Sequence, residues 1–331
     1  MTLRLLAFTN RGFALAQTLA GALGGEAARC GPSLSLAEWT SESFSQADAL
    51  VFVGAAGIAV RAIAPYIRHK AADPAVVVVD ESGRFAIPIL SGHLGGANDL
   101  ARNIAAQLGA VPVITTATDV RGLFAVDEWA KRQNCRVRNP EAIVYVSSKV
   151  LSGGTAGIYS PWSISGRPPE HAALAAERGC DIKLTVRRES GDALCLIPAI
   201  AVLGVGCRRG ASQTALERAF AKLLETSGLD SLAFHQVCSI DLKRDEPGLL
   251  AFCQSRGLPL VTFSAQALRA VEGDFSSSAF VQSVAGVDNV CERSAVLGSG
   301  GALIVKKQTG DGVTMAAALA PFSPDWRWRD E

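Results

Sequence analysis

A chain of 331 residues that is 49% hydrophobic and 19% charged is a globular protein with room for two ordinary domains and a small third, and it is not a disordered one. Its 32 basic and 31 acidic residues leave a net charge of +1, which excludes a general electrostatic attraction to nucleic acid, so an anionic ligand would have to be met by local arginines. The eight cysteines are scattered, with no C-x-x-C pair and no Cys/His grouping at zinc-ligand spacing; they read as small apolar residues of a reducing, cytoplasmic compartment.

The N-terminal stretch MTLRLLAFTNRGFALAQTLAGALGG has a basic residue and an apolar run, but Thr9, Asn10 and Arg11 interrupt the run early. It reads as strand, turn and helix, not as a signal peptide, and no apolar stretch approaches the roughly 20 residues of a membrane-spanning helix. LRLLAFT predicts a strand and GFALAQTLAGAL a helix. ADALVFVG predicts a buried strand and AGIAVRAIAPYI the helix after it. AVVVVDESGRFAIPIL predicts two strands joined by a tight turn at Glu81, Ser82 and Gly83. The loop LSGHLGGANDLA follows and runs into a helix, NDLARNIAAQLG. AVPVITTATD predicts a further strand and GLFAVDEWAKRQNC a helix, closing an α/β unit over residues 1–138.

Residues 139–198, rich in Ser, Gly and Pro with short strand candidates at IKLTV and ALCLIPA, predict a small irregular connecting segment. A second α/β unit, residues 199–331, begins at AIAVLGVGCRRGASQTALERAFAKLLE, where Ser212 is placed to cap the helix. AFHQVCSI, LPLVTF, GALIVKK and GVTMAAALAP read as its further strands, and EPGLLAFCQSRG, SAQALRAV and VDNVCERSAVLG as helices. The expected fold is therefore α/β: two three-layer α/β/α domains with mixed, largely parallel sheets, joined by an irregular middle segment.

Three loops share a pattern of apolar strand, glycine-bearing turn and helix: VFVGAAGIAVRAI with Gly54 and Gly57, IPILSGHLGGANDLA with Gly92, Gly95 and Gly96, and VLGVGCRRGASQTALE with Gly206 and Cys207. Ligands of open α/β sheets sit beyond strand carboxyl ends, where bare backbone admits close approach and helix N–H groups attract anions. A dinucleotide loop G-x-G-x-x-G fails, because position 209 is Arg and the next glycine is Gly210; a Walker A loop is absent as well. The loops instead carry cations. Arg61 lies on the first helix, Arg68 and Lys70 follow it, and Arg208 and Arg209 sit between glycines at a helix start, where guanidinium forks can pair with carboxylates. Arg68 reads equally as a solvated surface charge.

His93, one of four histidines, stands among the three glycines of the second loop. It can act as a general acid or base or as an axial metal ligand, or it can be a loop histidine satisfied by a carbonyl. Asn98 is either a ligand or a helix cap. Thr115, Thr116, Thr118 and Asp119 follow a strand end, where hydroxyls and a carboxylate suit a ligand, although Asp119 could also cap the next segment.

The stretch GIAVRAIAPYIRHKAADPAVVVVDESGRFAIPILSGHLGGANDLARNIAAQLGAVPVITTATD resembles the N-terminal domain of the cobalt-precorrin-5A hydrolases, the CbiG family of anaerobic cobalamin biosynthesis. GVGCRRGAS, SIDLKRDEPGLLAF and GVDNVCERSAVL resemble that family's C-terminal domain, which also occurs alone as CobE in the aerobic pathway. The resemblance runs from about residue 48 to 320, and SSKVLSGGTAGIY is similar to the connecting domain. It implies a hydrolase that opens a δ-lactone on a cobalt-bound tetrapyrrole with water and releases the two-carbon bridge as acetaldehyde, leaving the contracted corrin skeleton. It implies no cofactor of the protein's own, since cobalt arrives in the substrate, and no nucleic-acid or membrane partner. A homo-oligomer and contacts with neighbouring pathway enzymes stay open. The resemblance assigns no catalytic residue; for that reaction His93 is the first choice as base or acid, Asp119 is the second or orients His93, and the Gly95 and Gly96 N–H groups are candidates for the oxyanion. Arg61, Arg208 and Arg209 hold carboxylates, with Ser212 beside them. Lys243, Glu246 and Glu292 are further candidates that read equally as structural salt bridges. The competing reading is a carrier of corrinoid intermediates without catalysis.

Overall fold

Unbroken apolar runs set the first sheet. In the computed structural model, which describes residues 2–68, 72–92, 95–116 and 121–328, ALVFV and AVVVV form strands whose every residue is buried, as strands covered on both faces must be. The chain divides into two units, Met1–Glu128 and Trp129–Glu331.

In the first unit the elements are β1 (Leu3–Ala7), α1 (Asn10–Leu23), β2 (Gly25–Arg29), α2 (Leu36–Gln46), β3 (Ala49–Val53), α3 (Ala56–Ile63), β4 (Ala75–Val79), β5 (Phe85–Leu90), α4 (Ala97–Leu108) and β6 (Val111–Pro112). The sheet order is β2-β1-β3-β4-β5-β6. Alternate residues of the strands feed two cores. Leu5, Val51, Val53, Val77 and Val79 pack against α1 and α4, while Leu6, Leu50, Phe52, Val76 and Val78 pack against Trp39, Ala59 and Ile63 of α2 and α3. That is the expected three-layer arrangement. The sequence reading passes over β2 and α2, although Ser35 and Glu38 form a capping box at the start of α2. Of the strand expected at AVPVITTATD, the described residues form only the two of β6, with Val113 donating to the Ala86 carbonyl at 2.8 Å just after it.

Strands β1 to β4 run parallel, and β5 reverses against β4, pairing Val79 with Ala86 and Val76 with Leu90. The reversal is made by Asp80. Its carboxylate accepts the N–H groups of Ser82 (3.2 Å), Arg84 (2.7 Å) and Phe85 (2.6 Å), with Gly83 at φ 68° completing the turn. Strand β6 runs parallel to β5.

The second unit holds two five-stranded sheets. Helix α5 (Val126–Arg132) leads into it. The first sheet comprises β7 (Cys135–Val137), β8 (Ala156–Tyr159), β9 (Ala172–Leu174), β10 (Ile182–Leu184) and β11 (Leu194–Pro198), in the order β7-β11-β10-β8-β9, with helix α6 (Ile143–Leu151) before β8. Residues 139–198, read as irregular, therefore supply four strands of a sheet. Three of its five strands are only three residues long, too short for a period to be read. The unit boundary also falls ten residues before the one expected at 138, because β7 pairs with β11 and Trp129 stacks on Trp326 at 6.0 Å while donating from Nε1 to the Asp325 carbonyl at 2.7 Å.

The second sheet, β14-β13-β12-β16-β15, is built from β12 (Ala201–Cys207), β13 (Phe234–Ile240), β14 (Leu260–Phe263), β15 (Ala302–Gly310) and β16 (Val313–Leu319). Helices α7 (Gln213–Ser227) and α8 (Pro247–Arg256) pack Leu216, Phe220, Leu249 and Phe252 on Leu203, Val205 and Val237. After α9 (Ala265–Arg269) and α10 (Ala279–Ala285), helix α11 (Cys291–Ser299) lies directly on the sheet. Its approach requires bare backbone: a Cβ on Gly204 would lie 1.8 Å from the Cys291 carbonyl oxygen, and one on Gly298 would lie 2.3 Å from Cys238 Sγ. Arg138, donating from Nε to the buried Asp230 at 2.6 Å, joins the two sheets of this unit.

Burial by itself would raise the Asp80 carboxyl, but the hydrogen bonds from Ser82, Phe85 and Arg84 hold it below its ordinary value. A carboxyl lowered on folding adds stability that is fully present above its unfolded pKa, about 3.9, and is lost as pH falls through the folded one. Asp80→Asn is expected to lower the thermal midpoint by a few degrees at pH 7. The gap to the wild-type protein should narrow below about pH 4 in a thermal-denaturation series.

Candidate functional site

The direction of β5 decides which loops meet. Its last residue, Leu90, pairs with Val76 at the start of β4, so the loop after β5 stands at the edge where β1 to β4 begin. Gly54 follows β3 at the other edge and donates its N–H to the Val79 carbonyl at 2.8 Å. Gly54, Gly57 and Arg61 are thus separated from Gly92, Gly95 and Gly96 by a strand length, roughly 13 Å, and do not form one wall with them. Gly54 has a packing reason of its own, since a Cβ there would lie 2.7 Å from the Phe8 ring. Arg61 is exposed and donates from Nη1 to the Gly57 carbonyl of its own helix at 3.3 Å.

At the first edge the loop is folded tightly on itself. Ser91 is buried at φ 55°, a left-handed conformation uncommon for a residue other than glycine, and its Oγ donates to the Asp73 carbonyl at 3.0 Å. A Cβ on Gly95 would fall 2.3 Å from that of Ser91, and one on Gly92 would fall 2.9 Å from Asn98 Oδ1. Gly96, at φ 85°, starts helix α4. The Ala97 and Asn98 N–H groups go to the Ser91 and Gly92 carbonyls at 3.1 and 2.9 Å. The Gly95 and Gly96 N–H groups have no partner among the described residues.

Asn98 is 2% exposed and donates from Nδ2 to Thr116 Oγ1 at 3.1 Å, tying this loop to the segment after β6, where Thr115 is exposed. Its side chain does not cap α4, whose cap position is Gly96. The buried Asp73 carboxylate accepts the Arg68 N–H with both oxygens, at 3.2 and 3.0 Å, and the Arg68 side chain is exposed. Gly92, Gly95, Gly96, Asn98 and Thr116 therefore come together. His93 and Asp119, with Lys70 and Thr118, lie outside the described residues. Asp73 and Ser91 were not singled out from the sequence, and neither residue type signals a carbonyl-held, left-handed turn.

In the second unit β12, β13 and β14 are parallel and end at one edge, which Val313 of β16 reaches by pairing with Cys207. Gly206 is bare because a Cβ would meet Thr314 Oγ1 at 2.6 Å, and Thr314 donates to its carbonyl at 3.2 Å. Ser212 is a cap as expected, accepting the Ala215 N–H at 3.2 Å. Glu246, 7% exposed, accepts the Gly210 N–H at 2.6 Å and the Lys243 ammonium at 3.0 Å. Burial opposes its charge, but the Lys243 and Gly210 hydrogen bonds and nearby Arg209 hold its carboxyl below the ordinary range. Lys243 and Glu246 thus spend their polar groups on the protein. Arg208 and Arg209 are exposed and in no ion pair among the described residues.

Glu292 is fully buried, and its two oxygens accept the Ser276 N–H (2.7 Å) and hydroxyl (2.9 Å), the Asn289 amide (2.7 Å) and the Lys307 N–H (2.6 Å), which spends its four acceptor positions inside the protein. All eight cysteines are free; burial pushes Cys135 and Cys238 up to about 12 and Cys253 and Cys291 to about 11, so these four are not thiolate nucleophiles. Among the described residues no group of three or more His, Cys, Asp or Glu could hold a metal ion, and no helix is long and apolar enough to cross a membrane.

Comparison with known proteins gives two family matches: Cobalamin synthesis G N-terminal over residues 38–119 and Cobalamin synthesis G C-terminus over residues 201–318. The chain is 38% identical over 304 residues to the cobalt-precorrin-5A hydrolase of Salmonella typhimurium, covering 84% of each chain. It is 32% identical over 303 residues to that of Priestia megaterium, covering 84% of this chain and 80% of the relative. The crystal structure of CobE, a protein from the cobalamin biosynthetic pathway, is 29% identical and covers 38% of this chain and 94% of its own, with a TM-score of 0.36.

Asn98→Ala removes the amide that joins the two loops of the first edge and leaves a hole beneath Gly92. We expect it to cost about 1–3 kcal/mol in urea denaturation and to speed proteolytic cleavage within residues 91–121.

Proposed function

This chain belongs to the cobalamin synthesis G family, and on that premise we propose that it hydrolyses cobalt-precorrin-5A. The observation that carries the reading is the 38% identity to a cobalt-precorrin-5A hydrolase over 84% of both chains. The chemistry asks for little that the chain does not offer. Water adds to the lactone carbonyl, the acyl C–O bond breaks, and the freed oxygen becomes a hydroxyl. That hydroxyl then loses its proton as the carbon–carbon bond to the bridge breaks. The bond's electron pair passes into the macrocycle, which takes up a proton, and the two-carbon fragment departs as acetaldehyde. No oxidant or reductant is consumed, and the cobalt belongs to the substrate.

The roles we assign follow from chemistry. His93 is the general base or acid at neutral pH, with Asp119 as its alternative or its orienting partner. The Gly95 and Gly96 N–H groups, without partners among the described residues, suit the developing oxyanion. Arg208 and Arg209 suit the acetate and propionate side chains of a tetrapyrrole because their guanidiniums are exposed and uncommitted. Lys243, Glu246, Ser212 and Asn98 are committed to the protein, and Glu292 is sealed. Gly54, Gly57 and Arg61, at the other edge of the first sheet, receive no role in the chemistry. The location we propose is cytoplasmic; among the described residues no helix is long and apolar enough to cross a membrane.

The test is single-turnover conversion of enzymatically prepared cobalt-precorrin-5A with trapping of acetaldehyde. The wild-type protein is expected to release one equivalent, and His93→Ala to bind the substrate but release at least about 100-fold more slowly. Release at equal rates would remove His93 from the chemistry. Binding without release by the wild-type protein would favour a carrier of corrinoid intermediates. Arg208→Ala and Arg209→Ala should each raise KM about tenfold or more, the cost of a charge-assisted hydrogen bond, with a weaker dependence on salt than the wild-type protein.

A further inference from the structure

We infer that Glu246 is a positioning residue for the substrate's carboxylates, acting through the Gly210 N–H to hold the backbone that presents Arg208 and Arg209. The inference rests on the reading above, that these two arginines meet the tetrapyrrole.

A carboxylate beside a site for a polycarboxylate is an apparent contradiction, because its charge repels the ligand. The geometry resolves it. One oxygen of Glu246 faces the Gly210 N–H at 2.6 Å and the other faces Lys243 Nζ at 3.0 Å, so the acid is neutralised within the protein and contributes a fixed acceptor in place of a free charge. The loop it holds is pinned elsewhere as well. The Arg208 N–H donates to the Gly312 carbonyl at 2.9 Å. Ala211 is pressed against the first turn of α8, where a Cβ on Gly248 would lie 2.0 Å from the Ala211 carbonyl oxygen. Ser212 is fixed as the cap of α7. Between these anchors Gly210 sits at φ 73°, a left-handed position with no side chain to hold it, and Glu246 is the side chain that reaches its N–H.

The backbone is thus held at Arg208, Gly210, Ala211 and Ser212, on either side of Arg209. A rigid backbone carrying two uncommitted guanidiniums loses less freedom on binding than a mobile one, which is where its affinity comes from. Glu246 touches no reacting atom; its effect belongs in substrate binding.

Two explanations of Glu246 predict opposite signs. If it were only a charge near the site, removing it would leave Lys243 free, raise the local positive charge and lower KM. If it positions the arginine loop, removing it frees Gly210 and raises KM despite the added positive charge. The experiment is steady-state turnover of cobalt-precorrin-5A by the full chain, for the wild-type protein, Glu246→Ala and the double variant Lys243→Met/Glu246→Gln. All are assayed well below their thermal midpoints, with folding checked by circular dichroism.

We expect Glu246→Ala to raise KM about tenfold with kcat changed less than twofold. The double variant, which keeps an acceptor for Gly210 without either charge, should return KM to within about threefold of the wild-type value. A fall in KM, an unchanged KM, or a double variant as impaired as Glu246→Ala would each overturn the positioning role. If Arg208→Ala and Arg209→Ala also leave KM unchanged, the fault lies in the reading that the loop meets substrate; if they raise it and Glu246→Ala does not, the fault lies in this inference alone.

Discussion

The reversal of one strand governs the candidate site in the first unit. Five residues, Asp80 to Arg84, connect β4 to β5, too few for the crossover that a parallel neighbour requires, so β5 must run back along β4. The Asp80 carboxylate makes that return by gathering three backbone N–H groups at the turn. Everything after β5 is then delivered to the edge where the parallel strands begin. There the loop finds Asp73, whose carbonyl holds Ser91 and whose carboxylate holds the Arg68 backbone. With β5 parallel, Gly92 to Gly96 would have shared an edge with Gly54, and the bare loops would have formed one wall.

Bare backbone has two causes, and the structure separates them. Gly204, Gly206, Gly248 and Gly54 lack side chains because another part of the protein occupies the space, whether a helix carbonyl, a threonine hydroxyl, a loop carbonyl or a phenylalanine ring. Gly92 and Gly95 are also filled, by Asn98 and Ser91. Their occupants, Asn98 and Ser91, flank them closely in the chain, so this packing holds Gly92 and Gly95 against their own neighbours. A left-handed serine held by a carbonyl and a buried amide bridging to Thr116 belong to the same device. On the proposed reading this matters because N–H groups stabilise developing charge best when they are in place beforehand.

Much of the fold was legible because burial on both faces writes itself as continuous apolar runs, as in β3 and β4, and because caps such as Ser212 have a local chemical reason. The tight turn at Glu81 to Gly83 was legible too, and with it the antiparallel pair. What the loop grammar obscured was its consequence, that strand, turn and helix look alike in sequence whichever way the strand points. The sheet of the middle segment was hidden by strands of three residues, and β7 by a helical pattern that runs on through Cys135. Glu292 could not be distinguished from a ligand because its partners, Ser276 and Lys307, lie 16 and 15 residues away and carry no mark of their contact.

The same distinction bears on how a nearly neutral chain can take a substrate rich in carboxylates. With a net charge of +1 there is no long-range field to draw such a ligand in. On the proposed reading, selectivity comes from a few guanidiniums carried on a restrained backbone. Acidic residues at that edge are compatible with this if their charge is consumed internally, as Lys243 and Gly210 consume that of Glu246. An arginine already paired with a carboxylate would have to break that pair before meeting a ligand. Arg208, anchored through its backbone N–H, and Arg209 beside it are in no ion pair among the described residues and need not. The arrangement trades net charge for geometry, which suits a ligand defined by the pattern of its carboxylates around a ring more than by their number.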